Sequence, residues 1–358
     1  MTFKPRYLTI FFCFLSTLLS SQVPSTYYTA AEDLADDELK AALNQIIDNH
    51  IEFSYTTANT DVWDILKETD KDPSNSENVL LIYSGVSVNG AQEYNSGSGW
   101  TREHVWAKSR GDFGIARGPG TDVHALRPLD NSTNGKRNNR SFNNCTTCEA
   151  VIDQWGNPTG SKKDKNDWSF EPRDAVKGDV ARMLFYMAVR YEGLDGYVDL
   201  EFTELMLPQG DKQPIHGVLS SLLEWHRNDP VDAWEENRNN IIFNEYQKNR
   251  NPFIDFPVLA EHLWGTAKGT IWSSEVLNTE NFNETVFSVY PNPAANKIHL
   301  KGFGKSAKVV FYNTVGKKII TTRVDTHNAA IDVSSLSGMY LIHVITSEKR
   351  TTQLVVIK

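Results

Sequence analysis

Residues 100–139 read WTREHVWAKSRGDFGIARGPGTDVHALRPLDNSTNGKRNN, and the rest of the chain is best understood outward from them. An acid and an imidazole stand side by side at Glu103 and His104. Asp122, His124 and Arg127 follow, and then a cluster of amides and cations, Asn134, Lys136, Arg137, Asn138 and Asn139. The cations of the stretch are Arg102, Lys108, Arg110, Arg117, Arg127, Lys136 and Arg137. Only Glu103, Asp112, Asp122 and Asp130 oppose them. The whole chain carries 36 Lys and Arg against 45 Asp and Glu, a net charge of −9. A basic island in an acidic chain points to an anionic ligand. The competing reading is a Glu-His pair and some arginines lining an ordinary surface.

A phosphodiester fits the residue types. Its hydrolysis needs a base to take a proton from water and a cation or guanidinium to absorb charge on the phosphate. A histidine such as His104 can be the base at neutral pH. Glu103 and Asn134 offer oxygen ligands, which suit a hard cation such as Mg²⁺. Trp100, Thr101, Val105 and Trp106 favour a strand carrying Glu103 and His104, and neighbours on a strand face opposite ways. Both serve one site only where the strand end bends. The Gly- and Pro-containing segment Gly111–Gly120 is expected as a loop. Val123–Leu126 is expected as a second strand, with a helix from Ser132 or Thr133 presenting Asn134.

The words TREHVWAKS (Thr101–Ser109) and DVHALRPLDNSTNGKRNN (Asp122–Asn139) resemble the two signature segments of the bacterial endonuclease I family. Similar matches lie in FEPRDAVKGDVARMLFYMAVRY (Phe170–Tyr191) and NRNPFID (Asn249–Asp255), so the likeness runs from about Leu34 to Trp264. Members are secreted or periplasmic non-specific nucleases with a ββα-metal, or His-Me finger, site. The resemblance implies an α+β fold, a ββα-metal core wrapped by helices. It implies His104 as general base, and Glu103 and Asn134 as ligands of Mg²⁺, with Mn²⁺ or Ca²⁺ as alternatives. An arginine between the two segments would hold the cleaved phosphate, and Arg110 and Arg117 are both candidates. Arg127, Lys136, Arg137, Arg182 and Arg250 are the further expected contacts to DNA and RNA. For Arg182 a carboxylate partner is the alternative, and for Arg250 a bracing role.

Residues 1–21 read as a secretory signal. Lys4 and Arg6 precede the twelve-residue apolar run Leu8–Leu19, shorter than the roughly 20 residues of a membrane span, and Ser20 and Ser21 follow it. Cys13 lies inside that run, which argues against a lipid anchor. The remaining length suggests two domains, expected as a catalytic domain over 22–272, a linker over 273–285 and a small β-sandwich over 286–358. Cys145 and Cys148, in CTTC, fit a disulfide in an exported protein, with free thiols or half a zinc site left open.

Helices are expected over Ala31–Ile51, over Asp61–Leu66 capped by Thr60, and over Phe170–Tyr191 capped by Asp174, with one apolar stripe. Further helices are expected over Val218–Trp225 and over Val231–Tyr246, the latter capped by Asp229 with Pro230 in its first turn. Val79–Tyr83 suits a buried strand, and Pro252 is expected to close the helical region. In the tail, YPNPAAN and a run of short alternating strands resemble a type IX secretion C-terminal sorting domain. That implies export machinery as partner, a secreted or cell-surface location and no stable membrane insertion. An adhesion or sugar-binding sandwich is the alternative for this tail. For the whole chain the rivals to a nuclease are a metal phosphoesterase acting on small nucleotides and a non-catalytic DNA-binding or adhesion protein. A monomer is expected.

Overall fold

The β-favouring residues around Glu103 make the first arm of a short antiparallel hairpin. Trp100–His104 pairs with Leu126–Asp130, and the register sets Trp100 against Asp130, Glu103 against Arg127 and His104 against Leu126. The second arm begins where the sequence pattern placed its end. Val123–Ala125 instead forms a 3₁₀ turn, because the Asp122 side chain accepts from the His124 N–H at 3.0 Å and pulls the backbone into a cap. These features belong to a computed structural model that describes residues 23–274, 288–301, 306–314, 316–324, 328–345 and 350–358. The expected signal segment lies outside the described residues, as does most of the expected linker.

Eight α-helices are present among the described residues: α1 (Asp36–Ile47), α2 (Val62–Thr69), α3 (Asn131–Arg137), α4 (Lys177–Arg190), α5 (Leu219–Asn228), α6 (Ala233–Glu245), α7 (Pro252–Asp255) and α8 (Leu259–Leu263). Helix α3 follows the hairpin without a loop, because the carboxylate of Asp130 accepts from the Thr133 N–H at 2.9 Å and caps it. Hairpin and α3 together make the strand–strand–helix unit. A four-stranded sheet follows, in the order Ser141–Phe142, Ser169–Glu171, Pro158–Asp164, Cys148–Ile152.

Helix α4 is the centre of the core. Every residue from Gly178 to Arg190 is buried, so the expected single stripe understates it. A helix buried all round must satisfy its charges inside the protein. Arg182 does so with a bidentate pair to Glu235 of α6, Nε to Oε1 at 2.7 Å and Nη2 to Oε2 at 2.5 Å, and donates to the Asp229 carbonyl at 2.8 Å.

Several helix ends differ from the sequence expectation, each for a local reason. Asp61, not Thr60, caps α2 in a reciprocal box with Asp64. Asp232, not Asp229, caps α6 in the same way with Glu235. Asp229 turns instead to α4, where its carboxylate accepts from the Gly178 N–H at 2.9 Å. A Cβ at Gly178 would lie 2.1 Å from the Asp229 carbonyl oxygen, so glycine permits that approach. Asp174 makes no cap; it lies in a 3₁₀ turn ahead of α4. Pro252 opens α7 rather than closing a helix, as proline at a first helical position can.

The chain divides into two compact units, residues 1–274 and 275–358. In the second, a three-stranded sheet (Ser288–Tyr290, Lys297–Lys301, Asn328–Asp332) and a four-stranded sheet share one core that includes Ile298, Leu300, Val309, Phe311 and Ile342. Neighbouring strands in both sheets are antiparallel. Among the described residues no helix is long and apolar enough to cross a membrane.

Arg182→Ala leaves Glu235 buried without its partner, which should cost about 3–5 kcal/mol of unfolding free energy. Urea denaturation reads this directly. A nucleic-acid role for Arg182 would leave stability unchanged and weaken binding instead.

Candidate active site

An open cleft of about 440 Å³ lies against the hairpin and α3. From the strand come Thr101, Arg102, Glu103 and His104, and from α3 Asn134 and Arg137. Lys108, Ser109 and Tyr55 complete the walls used below. Pleating alone would send Glu103 and His104 to opposite faces. The strand ends at His104, and both residues line the same cleft.

Glu103 is 1 % exposed. The Tyr83 hydroxyl donates to its Oε1 at 2.9 Å, and Arg137 Nε lies 3.1 Å from the same oxygen. Burial raises the carboxyl pKa, and Arg137 and Tyr83 hold it back. Both contacts fall on Oε1, so Oε2 is the atom left for a ligand. Asn134 and Arg137 are three residues apart on α3, which sets them on one face. The amide thus stands beside the residue that grips Glu103.

His104 Nε2 lies 3.0 Å from the Gly120 carbonyl oxygen. A carbonyl only accepts, so Nε2 carries the proton and Nδ1 carries the lone pair. The Tyr55 ring stacks on the imidazole, with centroids 5.5 Å apart and planes 20° from parallel. Burial lowers the pKa of His104 to about 3, and the positive charges of Lys108, Arg102 and Arg137 act in the same direction. The ring is therefore neutral at physiological pH, as a proton acceptor must be. Gly120 is held in place by its own loop: a Cβ there would lie 2.7 Å from the Ala116 carbonyl and 2.8 Å from that of Gly114.

The remaining expected site residues divide sharply. Arg137 lines the cleft. Lys136, also on α3, donates to Ser132 Oγ at 2.9 Å and to the Ile152 carbonyl, and does not line it. Arg110 is fully buried, and its guanidinium donates to the carbonyls of Asn139, Leu207, Pro208 and Asp211. Arg117 is exposed, bonds Ser54 Oγ at 3.0 Å and does not line the cleft.

Arg127, Arg182 and Arg250 are each buried in ion pairs, which for Arg182 is the carboxylate partner and for Arg250 the bracing role that the sequence left open, and which for Arg127 stands in place of the expected nucleic-acid contact. Arg127 meets Asp70 and Asp179, Arg182 meets Glu235, and Arg250 meets Asp255 at 2.6 Å. His124 is buried as well, with Nε2 3.2 Å from the Asn249 carbonyl. Asp122 accepts from Tyr186 and Tyr191 at 2.8 and 2.9 Å in the core. Cys145 and Cys148 form a disulfide.

Three supporting residues escaped sequence reasoning: Tyr55, Tyr83 and Gly120. Tyr83 looks like the end of an apolar run, and Tyr55 sits in a polar loop. Gly120 offered a faint signal, as the last glycine of a Gly-Pro-rich segment that must return to the hairpin.

Residues 35–258 match the family model for endonuclease I, and residues 288–358 match the secretion system C-terminal sorting domain. An extracellular ribonuclease of Bacillus subtilis (strain 168) is 50% identical over 241 residues, covering 67% of this chain and 78% of the relative. An extracellular ribonuclease of Bacillus amyloliquefaciens is 48% identical over 239 residues, with the same coverage of both chains. Endonuclease-1 of Buchnera aphidicola subsp. Baizongia pistaciae (strain Bp) is 29% identical over 134 residues, 37% of this chain and 46% of the relative. The chain belongs to the endonuclease I family, and is a secreted or cell-surface nuclease with a C-terminal sorting domain.

Proposed function

We propose that the protein is a metal-dependent, sequence-tolerant endonuclease that hydrolyses phosphodiester bonds of both DNA and RNA, with His104 as general base. One observation carries this reading. The Gly120 carbonyl fixes His104 with its Nδ1 lone pair free, in a cleft that the Glu103 carboxylate and the Asn134 amide also line. Nδ1 takes a proton from water, the water oxygen forms a bond to phosphorus, and the bond from phosphorus to the departing sugar oxygen breaks. That oxygen then takes a proton from solvent.

The donor set fits a hard divalent cation: one carboxylate oxygen of Glu103 has no partner among the described residues, and an amide stands beside it. Glu103 and Asn134 would hold Mg²⁺, with Mn²⁺ or Ca²⁺ as alternatives. When bound, the cation supplies charge neutralisation at the phosphate. Arg137 keeps the Glu103 carboxylate aimed, and Tyr55 keeps the imidazole from turning.

An open cleft favours a polymer over a small nucleotide, which an enclosed pocket would suit better. Contacts to phosphate carry no base information, which supports sequence tolerance. Names of two relatives, ribonucleases, support RNA as a substrate, and that of a third, an endonuclease, supports internal cleavage. We read residues 1–21 as the leader and residues 286–358 as the export signal of a monomer whose catalytic part is 22–272.

His104→Ala should lower turnover by roughly 10²–10⁴ with metal binding intact. Asn134→Ala and Glu103→Ala should lose metal affinity and regain activity at high Mg²⁺. A Mg²⁺ titration of plasmid and RNA cleavage, beside calorimetric metal binding, separates the roles. If His104→Ala loses the metal as badly as Asn134→Ala, His104 is a ligand and not the base.

Deleting residues 286–358 should leave the specific activity of purified enzyme unchanged and stop release from the cell. A folded but inactive truncation would show the tail to be part of the catalytic unit.

A further inference from the structure

The phosphate undergoing attack needs a cation from the protein, and neither arginine expected for this role lines the cleft. Arg110 has its guanidinium bonded to four main-chain carbonyls. Arg117 reaches Ser54 instead.

Three cations do line the cleft: Arg102, Lys108 and Arg137. Arg137 is occupied: its Nε lies 3.1 Å from the Glu103 carboxylate as an ion pair, its Nη1 donates to the Asn138 carbonyl at 2.9 Å, and its Nη2 meets His216 Nε2 at 2.8 Å. Arg102 is also occupied. Its Nη1 donates to the Tyr55 carbonyl and to Thr56 Oγ1 at 3.1 Å, and its guanidinium carbon lies 3.4 Å from the Tyr55 ring centre and 4.0 Å from that of Trp63. Its Nε is buried without a partner, and the residue as a whole is buried between those two rings, unlike an extended side chain open to solvent.

Lys108 differs from both. It is exposed, and among the described residues it has no hydrogen bond and no carboxylate partner. It stands four residues after His104, in the same cleft. A free ammonium beside the base has no protein anion to neutralise it, and a bound phosphate would.

We propose that Lys108 binds a non-bridging oxygen of the phosphate being cleaved, the role that sequence reasoning gave to an arginine. The assignment rests on the reading of this cleft as a phosphodiesterase site. An ammonium acts here as a point charge rather than a two-pronged clamp. Negative charge on the phosphate oxygens grows as water attacks, so the contact strengthens in the transition state and acts on turnover.

The test is single-turnover cleavage of DNA at saturating Mg²⁺, with enzyme in excess of substrate. Lys108→Met should lower the saturating rate roughly 10- to 100-fold, the range for a hydrogen bond to a charged group. Lys108→Arg should recover most of that loss. Lys268→Met, an exposed lysine that does not line the cleft, should match wild type and controls for net charge. Calorimetric Mg²⁺ binding and the thermal midpoint should be the same in all four proteins.

Should Lys108→Met weaken DNA affinity while leaving the saturating rate unchanged, Lys108 holds a flanking phosphate and the proposal is overturned. A wild-type rate and affinity in Lys108→Met overturns it outright. Failure of the underlying reading looks different: His104→Ala would then cleave as fast as wild type, whatever Lys108→Met does.

Discussion

Arg137 joins the two halves of the site. It grows from α3 and reaches the Glu103 carboxylate on the neighbouring strand, 3.1 Å away, and bonds the Val105 carbonyl beyond the strand's end. One guanidinium thereby fixes the distance between the helix that carries Asn134 and the strand that carries Glu103 and His104. A buried carboxylate would otherwise favour its protonated form, which cannot hold a cation well. The pairing opposes that upward shift without consuming both of the Glu103 oxygens. Its strength comes from the same burial that makes isolated charge expensive there.

Much of this arrangement is legible from local sequence. The hairpin arm, the helix after it and the meeting of Glu103, His104 and Asn134 depend on residues within one forty-residue window. The β-favouring run, the Asp130 cap and three-residue helical spacing all act over short distances. What could not be read is what comes from afar. Tyr83 and Tyr55 reach the site through the fold, and nothing in their own neighbourhoods marks them, while Gly120, inside the window, offered only its place at the end of a glycine-rich loop. Charge patterning misled for a related reason. Of the seven cations in the window, Arg102, Lys108 and Arg137 line the cleft, while Arg110 and Arg127 serve the interior. Counting charges records sign and position in the chain, and carries no information about depth.

The helix caps teach the same lesson on a smaller scale. Asp229 and Asp232 both fit a cap before α6. Competition was decided by α4, whose first turn comes close enough to Asp229 only because residue 178 is glycine. Once Asp229 faces α4, Asp232 closes the box with Glu235, and Glu235 in turn meets Arg182. A single tertiary contact thus selects the start of one helix and pairs the charge of another. The buried arginines of this core are the product of that interlocking, and their positions in the sequence alone could not separate them from a nucleic-acid surface.

The group that fixes His104 is a main-chain oxygen, and this decides which genetic changes the base can survive. No codon change removes a carbonyl, whereas a partner side chain, as in a His–Asp arrangement, vanishes with one substitution. Point mutation at the partner acts only indirectly, because a Cβ at Gly120 would press on the Ala116 and Gly114 carbonyls and shift the loop that carries the oxygen. The tautomer's vulnerability lies in the length of the 111–120 loop, because adding or removing one residue there would carry the Gly120 oxygen out of reach. Divergence among such enzymes should accordingly tolerate side-chain exchange at the non-glycine positions of this loop better than insertion or deletion within it.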